Sequence, residues 1–317
     1  MNVTEATFCE FVCWMLWLET VYLLHWVKYE KDKVGELEQK KAEFYHKGKE
    51  LIFGTGISAP KSGDELLKVV KSCFENGIHS FDTAPSYKTE DLLGEIFHHC
   101  TKEYKVNREE IFVQTKIDVW QMQEGNGDVR RFVEFTLKSM NLQYLDSLLI
   151  HWPIPELFCK TWHCFEELYK ENLVRSIGVC NVRLRHMKQM KSLEVLPHII
   201  QIERHPLNVF DEEISFCKEN GISIQAYSPL CKMDTRLSES SILMELAKKY
   251  QKSIGQIILR WQLDTKAIPV FTSTKTSRIM EYSDIYDFNL SQEEIALVSS
   301  HNENYKMYLE SRACPGF

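Results

Sequence analysis

ENGIHSFDTAPSY (75–87) reads as the end of a helix, a short strand and the loop beyond it. Gly77 supplies the left-handed turn that closes a helix, and the apolar run after it is too short for another. The same grammar returns in ENGISIQAYSPL (219–230). Outward from these two stretches the chain alternates short apolar runs with longer amphipathic ones. The runs are LIFGT (51–55), HSFDT (79–83), IFVQT (111–115), SLLIH (147–151), SIGVC (176–180), IIQIE (199–203), SIQAY (223–227) and AIPVF (267–271). They are mostly apolar on both parities, as strands buried on both faces are. Ser62 to Asp64 opens a helix ending near Asn76, Asp211 opens another ending at Asn220, and Ser291 to Glu294 forms a capping box. Strands alternating with helices predict right-handed βα units, and eight parallel strands close a barrel. The expected fold class is α/β: a (β/α)8 TIM barrel over residues 46–317 with an atypical N-terminal helical extension over 1–45.

Composition excludes several classes. At 317 residues, 44% hydrophobic and 26% charged, the chain is long enough to bury a large core. A net charge of −7 argues against a nucleic-acid partner, which needs a concentrated positive field. The ten cysteines are scattered, without a CxxC pair or zinc-like histidine spacing, so no metal site is expected and reduced thiols in a cytoplasmic protein are the reading. FCEFVCWMLWLETVYLLHWV (8–27) is nearly long enough to span a bilayer, but Glu10 and Glu19 lie inside it. An amphipathic helix packed on protein, followed by a charged helix over 28–44, is preferred to membrane contact. No basic region precedes it and no small-residue cleavage site follows, which argues against a secretory signal.

In such a barrel the chemistry sits where strands end. The second strand ends in Asp82 and leads to Tyr87, the third ends in Thr115-Lys116, and the fourth in His151-Trp152. Taken singly, Tyr87 is a packing residue, Lys116 a solvated cation, His151 a core residue and Asp82 a helix cap. Together they form one chemical unit. Reducing a carbonyl needs a proton donor for the developing alkoxide. A tyrosine hydroxyl becomes a better acid beside an ammonium group, here Lys116, and Asp82 can keep that lysine charged. His151 can donate a hydrogen bond to the carbonyl oxygen.

The motifs FDTAPSY (81–87), QTK (114–116), LLIHWP (148–153), SIGVCNV (176–182), QIERHP (201–206), AYSPL (226–230) and the Arg278–Glu281 segment, in this order, resemble the aldo-keto reductase superfamily. The resemblance covers roughly 50–317 and is nearest to the monomeric aldose and aldehyde reductase-like members. It implies a catalytic tetrad of Asp82, Tyr87, Lys116 and His151. For the cofactor, NADPH or NADP with NADH as the alternative, it implies contacts from Gly54, Thr55, Asp82 and Cys180. Asn181 and Gln201 would hold the nicotinamide amide, Tyr227 would stack on its ring, and Ser228 and Leu230 would line the pyrophosphate. Ser273, Thr274, Lys275 and Arg278 fall at the adenosine 2′-phosphate and Glu281 at the adenine. A guanidinium suits a bidentate phosphate contact. The carbonyl substrate would meet Tyr87, His151, Trp120, Trp152 and the C-terminal tail from Glu303 onward.

Departures are Cys180 where the family usually has Ser, Arg204 in place of an aromatic residue, Val270 where many members carry Lys, and Tyr282 for Asn. No GxGxxG follows a strand, which disfavours a Rossmann dehydrogenase. The expected function is NADP(H)-dependent reduction of an aldehyde or ketone by a monomer. The alternative is a catalytically weak, cofactor-binding regulatory subunit of the same fold. A hydrolase on the same barrel has no metal-ligand cluster or paired carboxylates to recommend it.

Overall fold

The computed structural model describes residues 51–56 and 62–309. The helices expected over 8–27 and 28–44 and the end of the C-terminal tail lie outside the described residues. Eight strands form a closed parallel barrel in sequence order. They are β1 (Ile52–Gly54), β2 (Ser80–Asp82), β3 (Phe112–Ile117), β4 (Ser147–Ile150), β5 (Ile177–Cys180), β6 (Ile199–Glu203), β7 (Ser223–Tyr227) and β8 (Ala267–Phe271). Seven of the apolar runs contain their strand whole, and the run at 111–115 holds the start of β3, which continues to Ile117.

The punctuation works as its chemistry requires. Ser62 accepts a hydrogen bond from the Glu65 backbone N–H and starts the helix Gly63–Glu75. That helix closes at Asn76, and Gly77 follows at φ +72° before the chain enters β2. Gly221 does the same at φ +66° before β7. The helix Asp211–Glu219 starts at Asp211 and closes at Asn220, as expected. No side chain caps it; Phe210, itself left-handed, precedes it. Asp211, Glu212 and Glu213 fill its first turn, where their charge faces the positive end of the helix dipole. The capping box Ser291/Glu294 is present in full.

Apolar residues fill two regions. The larger lies between the strands and the surrounding helices and includes Phe53, Phe81, Trp162 and Trp261. The smaller lies inside the barrel: Ile52, Phe112, Leu149, Ile199 and Val270 form an apolar floor, and Cys180, at the end of β5, joins it to the polar layer above. Gly178 on β5 permits this floor to close: a Cβ there would stand 2.2 Å from the Ile199 carbonyl oxygen and 2.6 Å from Leu149 Cδ2. Gly178→Ala is therefore expected to cost about 1–3 kcal/mol through overpacking, read as a lower urea midpoint at unchanged m-value. Among the described residues no helix is long and apolar enough to cross a membrane.

Candidate active site

Above the apolar floor the barrel interior turns polar. Gln114 on β3, Gln201 on β6 and Gln225 on β7 are all buried and meet across the barrel. Gln114 Nε2 donates to Gln225 Oε1 at 2.7 Å, Gln201 Nε2 donates to the same oxygen at 2.9 Å, and Gln225 Nε2 donates back to Gln114 Oε1 at 3.0 Å. Asp82 rests on this layer, its Oδ2 accepting from Gln114 Nε2 at 2.6 Å and Gln201 Nε2 at 3.0 Å. Its other oxygen accepts from Lys116 Nζ at 2.6 Å, and Lys116 also donates to the Thr83 carbonyl at 2.9 Å. A buried carboxylate left with an unfilled oxygen is costly, and here both oxygens are engaged.

Tyr87 ends the 3-10 turn Pro85–Tyr87 that follows β2. Lys116 Nζ lies 5.0 Å from its ring centroid. The hydroxyl is 3.5 Å from Nε2 of His151, whose ring stands edge-on to that of Tyr87. The four residues thus meet at one end of the barrel. Burial pushes the Tyr87 hydroxyl up to about 12, with the Lys116 ammonium pulling against it. Burial works most strongly against charge on Lys116, but Asp82, with smaller contributions from Tyr87 and Cys180, holds the ammonium above its usual range. The site therefore contains a charged ammonium and a protonated phenol at neutral pH. An oxygen placed against Tyr87 and His151 could receive a proton there.

The partner of His151 was not legible as a motif. Asp118, two residues beyond Lys116, places Oδ1 2.5 Å from His151 Nδ1. It also accepts from the Ser86 backbone N–H at 2.8 Å and the Ser86 hydroxyl at 3.2 Å. Burial opposes its charge, but His151 and Ser86 together hold the carboxyl below its usual range.

Asn181 follows β5 in the left-handed conformation at φ 61°, which Asn tolerates better than most residues. Its Nδ2 donates to the His151 carbonyl at 2.9 Å, and its Oδ1 accepts from the Tyr227 hydroxyl at 2.7 Å. Gln201 Oε1 faces the Cys180 thiol at 3.8 Å. Thr55 is buried with its hydroxyl on the Asp82 carbonyl, and the Gly54 carbonyl accepts from Thr272. Ser228 and Leu230 follow β7 at the same end, both partly buried, Ser228 at φ 49°.

Beyond β8, Lys275 and Arg278 are exposed at the start of the helix Thr276–Ser283 and form no ion pair among the described residues. Exposed Thr274 and buried Ser273 precede them, the Ser273 hydroxyl accepting from the Lys275 backbone N–H at 3.0 Å. Two unpaired cations beside a helix N-terminus fit a phosphate dianion. Glu281 accepts from Ser253 at 2.5 Å. Tyr282 is buried against Phe271, and Val270 belongs to the barrel floor, so both departures are packing residues here.

Arg204 is also accounted for. Its buried guanidinium stacks on Trp261 at 4.0 Å, donates to the Val209 carbonyl at 2.8 Å and reaches Gln262 Oε1. Burial lowers its pKa to about 9. Neighbouring Glu203 ties down the C-terminal segment by accepting from the backbone N–H groups of Met307 and Tyr308 at 2.6 and 2.9 Å. Tyr308 thereby stands edge-on to Tyr227, with ring centroids 5.9 Å apart. Trp120 is half-exposed and packs edge-on against Phe132, while Trp152 is partly buried.

Comparison with known proteins shows the family. The family model described as "Aldo/keto reductase family" matches residues 50–303. A glyoxal reductase of Bacillus subtilis is 37% identical over 264 residues, covering 83% of this chain and 93% of that protein. A methylglyoxal reductase of Escherichia coli O157:H7 is 32% identical over 78% of this chain and 88% of its own length. Among solved structures, a Bombyx mori aldo-keto reductase in complex with NADP superposes with a TM-score of 0.76 at 31% identity, covering 83% of this chain and 92% of that one. With its closed eight-stranded barrel and this match over most of its length, the chain belongs to the aldo/keto reductase family.

Proposed function

We propose that the protein reduces an aldehyde or ketone to the alcohol with NADPH, Tyr87 delivering the proton. The observation that carries this reading is the convergence of Tyr87, Lys116, Asp82 and His151 at one end of the barrel, with Lys116 Nζ held 2.6 Å from Asp82. NADPH, when bound, supplies the hydride. Tyr87 holds the proton that the carbonyl oxygen needs, the Lys116 ammonium stabilises the phenolate left behind, and Asp82 keeps Lys116 charged. His151 orients the carbonyl oxygen.

Asn181, Gln201 and Tyr227 are placed to receive the nicotinamide end. The Tyr227–Asn181 hydrogen bond then has to exchange partners, because it uses the amide oxygen that a carboxamide would meet. Cys180 would contact the same end only weakly, since a thiol is a poor hydrogen-bond partner. Ser228 and Leu230 would line the pyrophosphate, Gly54 and Thr55 the rim of the site, and Glu281 the adenine. Ser273, Thr274, Lys275 and Arg278 form the phosphate cradle. Substitution of Lys275 and Arg278 together by Ala is expected to weaken NADPH binding about 10–100-fold, the loss of one or two charge-assisted contacts. NADH binding should change little. Fluorescence titration with the two nucleotides checks this, and equal loss for both would remove the phosphate assignment.

Trp120, Trp152 and the C-terminal segment would wall the carbonyl pocket. The reductases of B. subtilis and E. coli named above make glyoxal and methylglyoxal the first substrates to try. The reading also includes a cytoplasmic monomer, with residues 1–45 as an N-terminal helical extension and residues 46–317 as the barrel. The test is NADPH consumption, followed by its ultraviolet absorbance, over a panel of dicarbonyls, aromatic aldehydes and ketones. Turnover of at least one class is expected. Binding of NADPH without turnover of any class would favour the regulatory reading, and absence of nucleotide binding would end the reductase reading.

A further inference from the structure

A carboxylate can only accept hydrogen bonds, so the 2.5 Å contact between Asp118 Oδ1 and His151 Nδ1 places a proton on Nδ1. In a neutral imidazole the other nitrogen, Nε2, then carries none. Nε2 is the atom that faces Tyr87, at 3.5 Å from its hydroxyl. A neutral His151 held this way can accept from Tyr87 but cannot donate to a carbonyl oxygen. Donation requires the imidazolium, with protons on both nitrogens, and a charged imidazole is expensive where His151 sits unless an anion is beside it.

We propose that Asp118 is a positioning residue for the reduction: it fixes His151 with a proton on Nδ1 and sustains the imidazolium form from which Nε2 can donate to the substrate oxygen. This rests on the reductase reading above. The geometry of Asp118 supports the role independently of any titration. It stands at the start of the helix Val119–Glu124, its backbone N–H donating to Gln121 Oε1 at 2.9 Å. Ser86 binds it through both backbone and hydroxyl, and Ser86 immediately precedes Tyr87. One carboxylate thus ties the end of β3, the turn that carries Tyr87 and the ring of His151 into a single unit. The His151 backbone N–H is itself held by the Ile117 carbonyl at 3.0 Å.

The charged neighbours pull in both directions. The balance leaves the His151 pKa below its usual value: burial lowers it most, and the Lys116 ammonium on β3 adds to that effect, while Asp118 and then Asp82 on β2 oppose it, so without Asp118 the imidazolium would be scarcer still. Tyr87 faces the ring from its loop, and the buried Cys180 thiol on β5 lies near the same charges. Glu90 starts the helix Glu90–Tyr104, with Thr115 donating to it at 2.6 Å. Burial raises its pKa to about 7, and Asp118 contributes to the rise. With Lys116 acting against the imidazolium, Asp118 is the nearest anion that favours it.

The test uses the full chain with Asp118→Asn and Asp118→Glu. Asn keeps an acceptor for Nδ1 and removes the charge; Glu keeps the charge. Nitrogen NMR of labelled histidine, with the His151 signal assigned by its absence in His151→Gln, reads tautomer and titration without substrate. The wild type should show its proton on Nδ1, and Asp118→Asn should titrate about one pH unit or more lower. The descending limb of the pH profile of kcat/KM should move down by the same amount in Asp118→Asn and stay near the wild-type position in Asp118→Glu. A merely structural role would lower activity by one factor at every pH and leave the limb in place. An unmoved titration in Asp118→Asn, or a wild-type proton on Nε2, overturns the proposal while leaving the reductase reading standing. A wild type that binds NADPH and turns over nothing removes that reading whatever the NMR shows.

Discussion

Tyr87→Phe is expected to lower kcat/KM by ~100- to 10000-fold, the range for loss of a positioned general acid, with NADPH affinity unchanged. The substitution removes one oxygen and leaves the ring. That ring packs edge-on to His151 and lies 5.0 Å from Lys116 Nζ, so Phe keeps the shape of the site. The hydroxyl also interacts with the Lys116 ammonium, and its contact with His151 is long, at 3.5 Å, so its loss should cost about 1–3 kcal/mol of stability. Burial holds the phenol at about 12, so at neutral pH it is fully protonated and able to give a proton. Activity as the proton donor would therefore not be limited by Tyr87 ionisation anywhere near neutrality; a descending limb on the acid side of neutrality belongs to another group, and His151, whose pKa burial lowers, is the candidate. Stopped-flow measurement of NADPH oxidation in a single turnover separates this chemical effect from product release. A variant retaining more than a tenth of the wild-type rate in that step would exclude Tyr87 as the donor.

The barrel was legible because its signals are local and repeat eight times. Each strand is a short apolar run, and the turns at Gly77 and Gly221 need a residue that reaches positive φ. The four residues around Tyr87 were legible for a related reason: a strand end is a fixed place in this fold, so Asp82, Lys116 and His151 could be assigned to one rim from their positions alone. The glutamine layer escaped because the strands were read as apolar on both parities. Gln114, Gln201 and Gln225 each sit at an inward position, yet neighbouring outward residues kept the average apolar. A count by parity would have separated them, since Gln114 and Lys116 must face the same side of β3. Asp118 escaped for another reason. It lies one residue past the end of β3, where strand periodicity lapses, and only the structure shows which histidine it meets. Arg204 looked like an unexplained replacement because its partners Val209, Trp261 and Gln262 are scattered along the chain.

Lys116→Met should be the most damaging single change to both stability and activity, because it strands Asp82. That carboxylate is 3% exposed, and Lys116 is its only cationic partner among the described residues. The amides of Gln114 and Gln201 would remain on Oδ2, but Oδ1 would lose its cation. Breaking a buried pair from one side costs about 3–5 kcal/mol. The penalty should hold across the neutral range. In the wild type the folded-state pKa of Lys116 is raised, so its contribution is fully present below the unfolded value and disappears only as pH rises through the folded one. Asp82→Leu combined with Lys116→Met removes both charges, and should recover much of the stability without recovering activity. That contrast is the useful result. It would show that the pair is kept for the charge it presents to Tyr87 rather than for folding, since apolar substitutes hold the barrel together equally well. Urea unfolding of the two single variants and the double variant supplies the cycle. A Lys116→Met protein within about 1 kcal/mol of wild type would mean that water or the glutamine layer already satisfies Asp82, and the ammonium would lose its structural half of the argument.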